Sequence, residues 1–443
     1  MVVIYLLLSV VLIILLSAKL KIHPFIALFL VAILYGLFAG MPLSEIVVSI
    51  NEGFGDTLGK IGLLIVLGVI IGSFLENSGG AYAMAEKVLK IIGKKRVPTA
   101  MGIIGYIVSI PVFADSGFIL LSPLNKSLSK KANISLAGSA VALGLGLTAT
   151  HTLVPPTPGP IAASGILNAD LGLVLLWGLL ISALALAVGL FFVRKYVSKT
   201  YIDPNPEISE AVIDQRLKEA PGAFKSSIPI FVPIFLIVLR SIVNALGDDV
   251  NGAIAEFILF IGEPVIALLI GMFLSLLLPK KLNYDMLSTS GWVGKSLRDA
   301  ATIILITGAG GIFGRVLQNS GIADVIGETL ADVNLSIWLP FLLAAAIKTA
   351  QGSSTVALIT TASIMMPMMS TLGFVSELEK VMVVVAIGAG SAVFSHANDS
   401  FFWVVTQLSG FDVKTGYRLF SLGTFILGTS AAVFLYIFYL IFV

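Results

Sequence analysis

The chain alternates long apolar runs with short polar breaks from one end to the other. Runs of about 17 residues or more are long enough to cross a hydrocarbon core as helices. About ten segments are expected to cross: near 2–18, 24–40, 61–76, 134–152 and 171–193 in the first half, and near 227–245, 254–279, 300–318, 380–396 and 418–442 in the second. Two further apolar stretches, 97–125 and 335–372, carry breakers and polar groups in their middles: Pro111, Asp115 and Ser116 in one, Lys348, Gln351 and Gly352 in the other. Both read as re-entrant hairpins. Lys94, Lys95 and Arg96 precede the first and Lys126, Lys130 and Lys131 follow it, so the positive-inside rule puts both its ends in the cytoplasm.

Residues 194–226 form the one long polar stretch, with Pro204, Pro206, Pro221 and charges of both signs, and read as a cytoplasmic linker. The segments on either side, 1–193 and 227–443, repeat each other. His23-Pro24-Phe25-Ile26-Ala27-Leu28 answers Glu263-Pro264-Val265-Ile266-Ala267-Leu268, GSFLENSGG from Gly72 answers GRVLQNSGI from Gly314, and Thr150-His151 answers Ser395-His396. The offsets are all about 240 residues. Five crossings and one hairpin per half make the number of crossings odd, so the second half is expected to lie upside down relative to the first. The expected fold is thus an all-α integral membrane protein of two inverted repeats. Lys19 and Lys21 follow the first apolar run, which reads as a span and not a removed leader; this places both termini outside.

Composition agrees with this picture: 57% of the 443 residues are hydrophobic and 12% charged, against about a quarter charged in soluble domains. A net charge of +2, spread over short loops, implies no nucleic-acid partner. The absence of cysteine excludes disulfides, thiolate metal sites and thiol nucleophiles. No metal-ligand spacing such as HExxH occurs, so neither a metal nor a cofactor is expected. GAGGIFG at 308–314 looks like a dinucleotide-binding run but follows no strand, and its counterpart lies at 67–74. Gly68, Gly72, Gly310 and Gly314 read instead as small residues for close helix packing.

The candidate chemistry lies where the apolar pattern breaks: VFADSGF at 112–118, ATHTLVPPTPGP at 149–160, KTAQGSSTV at 348–356 and FSHANDSFFW at 394–403. Non-helical backbone at membrane depth survives only where it is buried in protein or lines a cavity. Free N–H groups at half-helix starts, with hydroxyls beside them, can hold a carboxylate. The candidate substrate-binding residues are Asp115, Ser116, Gly117, Thr150, His151, Thr152, Thr157, Gln351, Gly352, Ser353, Ser354, Thr355, His396, Asn398 and Asp399. Ionisable groups inside a membrane are costly and mark function by default, so Asp115, Asp399, His151 and His396 are the proton-coupling candidates. Lys348 either pairs with a carboxylate, attracts the substrate or snorkels to the interface. Sodium coupling is the alternative to proton coupling, since unwound carbonyls beside Asn398 and Asp399 could ligate the ion. Ser395, His396 and Asp399 supply the residue types of a hydrolase, but the pairing of Thr-His with Ser-His fits a symmetric site better than an enzyme's.

At these four segments the sequence resembles the gluconate permease family, the gluconate:proton symporters, within a wider ion-transporter superfamily. The resemblance is carried by PVFADSGFILLSPL at 111–124, THTLVPPTPGPIAA at 150–163, AQGSSTVALITTA at 350–362 and AIGAGSAVFSHANDSFFW at 386–403. It implies inner-membrane uptake of a small organic anion, a sugar acid or related hydroxy-carboxylate, together with protons. It also implies a homodimer embedded in lipid, in which a transport domain moves against a scaffold in elevator fashion. Where the family reads PPHPGP this chain has Thr157. The missing imidazole sets glycerate, a ketogluconate-like acid or a hydroxy amino acid beside gluconate as expected substrates.

Overall fold

The computed structural model describes residues 2–93, 96–204, 218–246, 252–321, 335–397 and 399–443, and among them the regular structure is helical. The first half runs α1 (Val2–Ile14), α2 (Pro24–Phe38), α3 (Leu43–Asn77), α4 (Gly80–Ile92), α5 (Val97–Val108), α6 (Ala114–Lys131), α7 (Leu136–Leu153), α8 (Pro158–Leu167) and α9 (Leu171–Lys195). The second half runs α10 (Ala223–Leu246), α11 (Ala253–Ile261), α12 (Pro264–Ser275), α13 (Trp292–Asn319), α14 (Trp338–Gln351), α15 (Ser354–Met365), α16 (Glu377–Ser391), α17 (Ser400–Ser409) and α18 (Leu422–Phe442). Of the expected linker, residues 205–217 lie outside the described residues, as do Lys94 and Lys95.

Among the described residues six helical stretches have the length and hydropathy of a membrane crossing, and the pair α11–α12 makes a seventh if it counts as one span. The other three segments expected to cross, near 2–18, 24–40 and 380–396, contain helices of 13, 15 and 15 residues. Two elements differ from expectation in physically instructive ways. The run 254–279 is not straight: α11 and α12 meet at 66°, where Gly262 lowers helix stability and Pro264 removes a donor. The span expected at 61–76 is the end of a 35-residue helix, α3. Its first half carries Glu45, Glu52 and Asp56 and so reads as polar by composition, but Ile46, Ser49 and Gly53 are buried on one face.

Glycine sets the closest approach in the bundle. A Cβ on Gly53 would lie 2.6 Å from the Gly311 carbonyl, so α3 and α13 can cross this tightly only with glycine at the contact. The Gly68/Gly72 and Gly310/Gly314 pairs do pack as small residues: Gly68 faces the carbonyl of Pro156, Gly72 that of Pro111, and Gly310 and Gly314 face Ile359 and Ser363 on α15. The packing is also reciprocal. α2 packs on α13 as α12 packs on α3, α5 on α7 as α14 on α16, α7 on α9 as α16 on α18, and α8 on α15 as α17 on α6.

Candidate functional site

Four helices start inside the bundle after a break, and local chemistry explains each break. α5 stops at Val108, three residues before Pro111, Ser109 donates to the Val112 carbonyl at 3.0 Å, and Phe113 is the N-cap of α6, which puts Asp115 in its first turn. Between α7 and α8 the run Val154-Pro155-Pro156-Thr157 cannot continue a helix, because two successive residues lack N–H donors. Gly352 closes α14 at φ +94°, a conformation that favours glycine. Ser353 then caps α15 by accepting from the Val356 amide at 3.3 Å. Asp399 caps α17, accepting from the Phe401 amide at 3.1 Å.

Three of these starts converge on one cavity of about 290 Å³, near the lower end of the roughly 300–1,000 Å³ usual for small-molecule sites. From α6 and its approach come Phe113, Ala114 and Asp115; from α7 come Thr148, His151 and Thr152. The α14–α15 break contributes Lys348, Gln351, Gly352, Ser353, Ser354 and Thr355. The approach to α17 adds Ala392, Ser395, Asp399, Ser400 and Phe401.

The charges inside are arranged unequally. Lys348, 2% exposed at its side chain, bonds Asp399 at 2.7 Å and also donates to the Gly352 carbonyl. Asp399 additionally accepts from Ser395 Oγ at 2.6 Å. Asp115 forms no ion pair among the described residues; Ser400 Oγ donates to it at 3.4 Å. The buried His151 Nδ1 has no hydrogen-bond partner among the described residues, and its ring lies 6.1 Å from that of Phe113.

Of the sequence candidates, Asp115, His151, Thr152, Gln351, Gly352, Ser353, Ser354, Thr355 and Asp399 line this cavity, whereas Ser116, Gly117, Thr150, Thr157 and His396 do not. Each of these except Ser116 has an evident other use. Gly117 faces the Leu147 side chain, where a Cβ would come within 2.7 Å. Thr150 donates to the Tyr106 carbonyl at 2.9 Å and Thr157 to the Val154 carbonyl at 2.6 Å. His396 Nε2 lies 2.7 Å from the Thr349 carbonyl and its ring stacks near Tyr417. Because Ser395 bonds Asp399 and His396 turns to Thr349, these residues do not form a nucleophile–base–acid relay. Asn398 lies outside the described residues. Sequence reasoning missed Thr148, Ser395 and Ser400 as cavity residues. Helical spacing was the available signal for Thr148, which sits one turn before Thr152 on the face that also carries His151. No group of three or more potential metal ligands occurs among the described residues.

Membrane-length helices whose broken members bring backbone starts and hydroxyls to a shared polar cavity define a multi-pass membrane permease. The chain belongs to the GntP family of permeases, whose family model, GntP family permease, matches residues 1–441. It is 38% identical to an uncharacterized permease of Haemophilus influenzae over 95% of this chain and 88% of that one. It is 35% identical to the gluconate permease of Pseudomonas aeruginosa over 95% and 94%. In fold it is similar to the YdaH transporter of Alcanivorax borkumensis, with a TM-score of 0.62 at 14% identity over 88% of each chain.

Proposed function

We propose that the chain is a secondary carrier that brings a small hydroxy-carboxylate or sugar acid of the gluconate type into the cytoplasm together with a proton. The observation that carries this reading is the charge inventory of the cavity. Two carboxylates, Asp115 and Asp399, face one ammonium, Lys348, which already pairs with Asp399. An anionic cargo would therefore meet a surplus negative charge, and a proton on Asp115 removes it. Asp115 is the proton carrier, and Asp399 and Lys348 form a fixed pair that holds the two second-half breaks together. The amides at Ser353, Ser354 and Thr355, with the hydroxyls of Ser353 and Thr355, receive the carboxylate. Thr148, Thr152 and His151 face the hydroxyls of the substrate. The gluconate permease of Pseudomonas aeruginosa, similar over nearly the whole length, supports the substrate class.

The architecture that serves this activity is a pair of inverted repeats, 1–193 and 227–443, joined by a cytoplasmic linker at 194–226. The reciprocal helix contacts support a two-fold relation between the halves, and an odd number of crossings in each makes that relation inverted. The pairs α5–α6 and α14–α15 act as re-entrant hairpins whose tips close over the anion from opposite sides. The protein works as an inner-membrane homodimer with both termini outside, its site-bearing helices moving as a unit against the crossed pair α3–α13.

Substrate-stimulated exchange in proteoliposomes tests the carrier reading. Labelled gluconate or another hydroxy acid from a panel should be released faster when unlabelled substrate is outside. A flux with no such stimulation, or no exchange of any panel member, would remove it. A sodium gradient imposed in place of the proton gradient distinguishes the coupling ion.

A further inference from the structure

We propose that the cleft between the start of α5 and the end of α9, which shares no lining residue with the substrate cavity, binds the phosphate of an anionic phospholipid. The cleft has a volume of about 520 Å³ and presents two guanidinium groups, Arg96 and Arg194. Neither has an acidic partner among the described residues. Thr99 and Ser198 add hydroxyl donors, and Pro98, Leu190 and Val193 form an apolar wall. Guanidinium forks match phosphate oxygens in geometry and charge, and the backbone amide of Thr99, in the first turn of α5, has no partner within its own helix. α7 packs closely against the same region, since a Cβ on Gly138 would crowd Ser198 Oγ and lie 3.6 Å from Pro98 Cγ.

The surroundings favour a lipid over a free phosphate. The end of α9 carries a collar of aromatic and basic groups: the Phe192 and Tyr196 rings stack at 5.3 Å, and Lys195 Nζ sits 5.9 Å above Phe191. Phe191 is 63% exposed, so it offers acyl chains an apolar surface. Aromatic and cationic residues collect at the depth of lipid head groups, and basic pockets between helices recognise anionic ones. A phospholipid seated here would tie α5, which leads to the Asp115 break, to α9 at the membrane boundary.

Native mass spectrometry of the full chain in mild detergent, titrated with phosphatidylglycerol or phosphatidylcholine, tests the assignment. The wild-type chain should retain phosphatidylglycerol preferentially, and R96Q/R194Q should lose that retention roughly tenfold. A control pair on another loop, K280Q/K281Q, should leave it unchanged. If the double variant does not fold, R96Q and R194Q singly carry the same comparison, each with a roughly threefold loss. Unaltered retention in the arginine variants would overturn the proposal. An equal loss in the lysine control would also overturn it, because it would mean diffuse surface attraction. Thermal protection by inorganic phosphate matching that of phosphatidylglycerol would overturn the lipid as the source.

Discussion

Lys348 and Asp399 lie 51 positions apart in the chain, yet they meet at 2.7 Å at the edge of the cavity, joining the break after α14 to the break before α17. Both side chains are buried, at 2% and 8% exposure. Removing one partner leaves the other as an uncompensated charge, a loss of about 3–5 kcal/mol in buried pairs. Lys348→Met should therefore lower the thermal stability of the purified protein sharply. Lys348→Met combined with Asp399→Leu should recover most of that stability without recovering exchange. A single variant as stable as wild type would show that the pair does not hold the breaks together.

His151 lines the cavity, and its buried Nδ1 has no hydrogen-bond partner among the described residues. If that nitrogen meets a substrate hydroxyl, the bond is worth on the order of 1 kcal/mol, or roughly a five- to tenfold change in half-saturation. His151→Leu should raise the substrate concentration for half-maximal exchange by about that factor, at little cost in melting temperature. An unchanged half-saturation would assign the ring to packing against Phe113.

Gly72 lets α3 approach the Pro111 carbonyl, and Pro111 belongs to the break that positions Asp115. Gly72→Ala pushes on backbone, not on a flexible side chain. It should cost about 1–3 kcal/mol and suppress transport beyond the loss of folded protein. Gly55→Ala, where a Cβ would meet open space, is the matched control. Equal transport per folded molecule in both variants would contradict the coupling of α3 to the break.

The proposed inverted halves, each with an odd number of crossings, would put both termini on one side, and the loop charges make that the outer side. A periplasmic-active reporter fused after Val443 should be active there, and its cytoplasmic counterpart should be silent. The reverse pattern would remove the topology and with it the inversion.

Much of this was legible in the sequence because apolar length and helix breakers are local properties. The four breaks at 112–118, 149–160, 348–356 and 394–403 predicted where the helices would be interrupted, and α6, α8, α15 and α17 start within them. Side-chain direction was less legible. Thr150 and Thr152 look alike in sequence, but the helical rotation of α7 turns Thr150 to the Tyr106 carbonyl and Thr152 to the cavity. The Lys348–Asp399 pair depends on tertiary approach and has no sequence signature. The bend at Gly262 and Pro264 was readable but was outweighed by the continuous hydropathy of the run around it.

The proposed carrier moves an anion together with a proton held at Asp115. Asp115→Asn in proteoliposomes tests it most directly, because the amide preserves size while removing the titrating group. Uptake of the labelled acid driven by an inward proton gradient should lose its accumulation above equilibrium, while exchange at equal pH on both sides continues. Concentrative, gradient-driven uptake at the wild-type level would contradict the account.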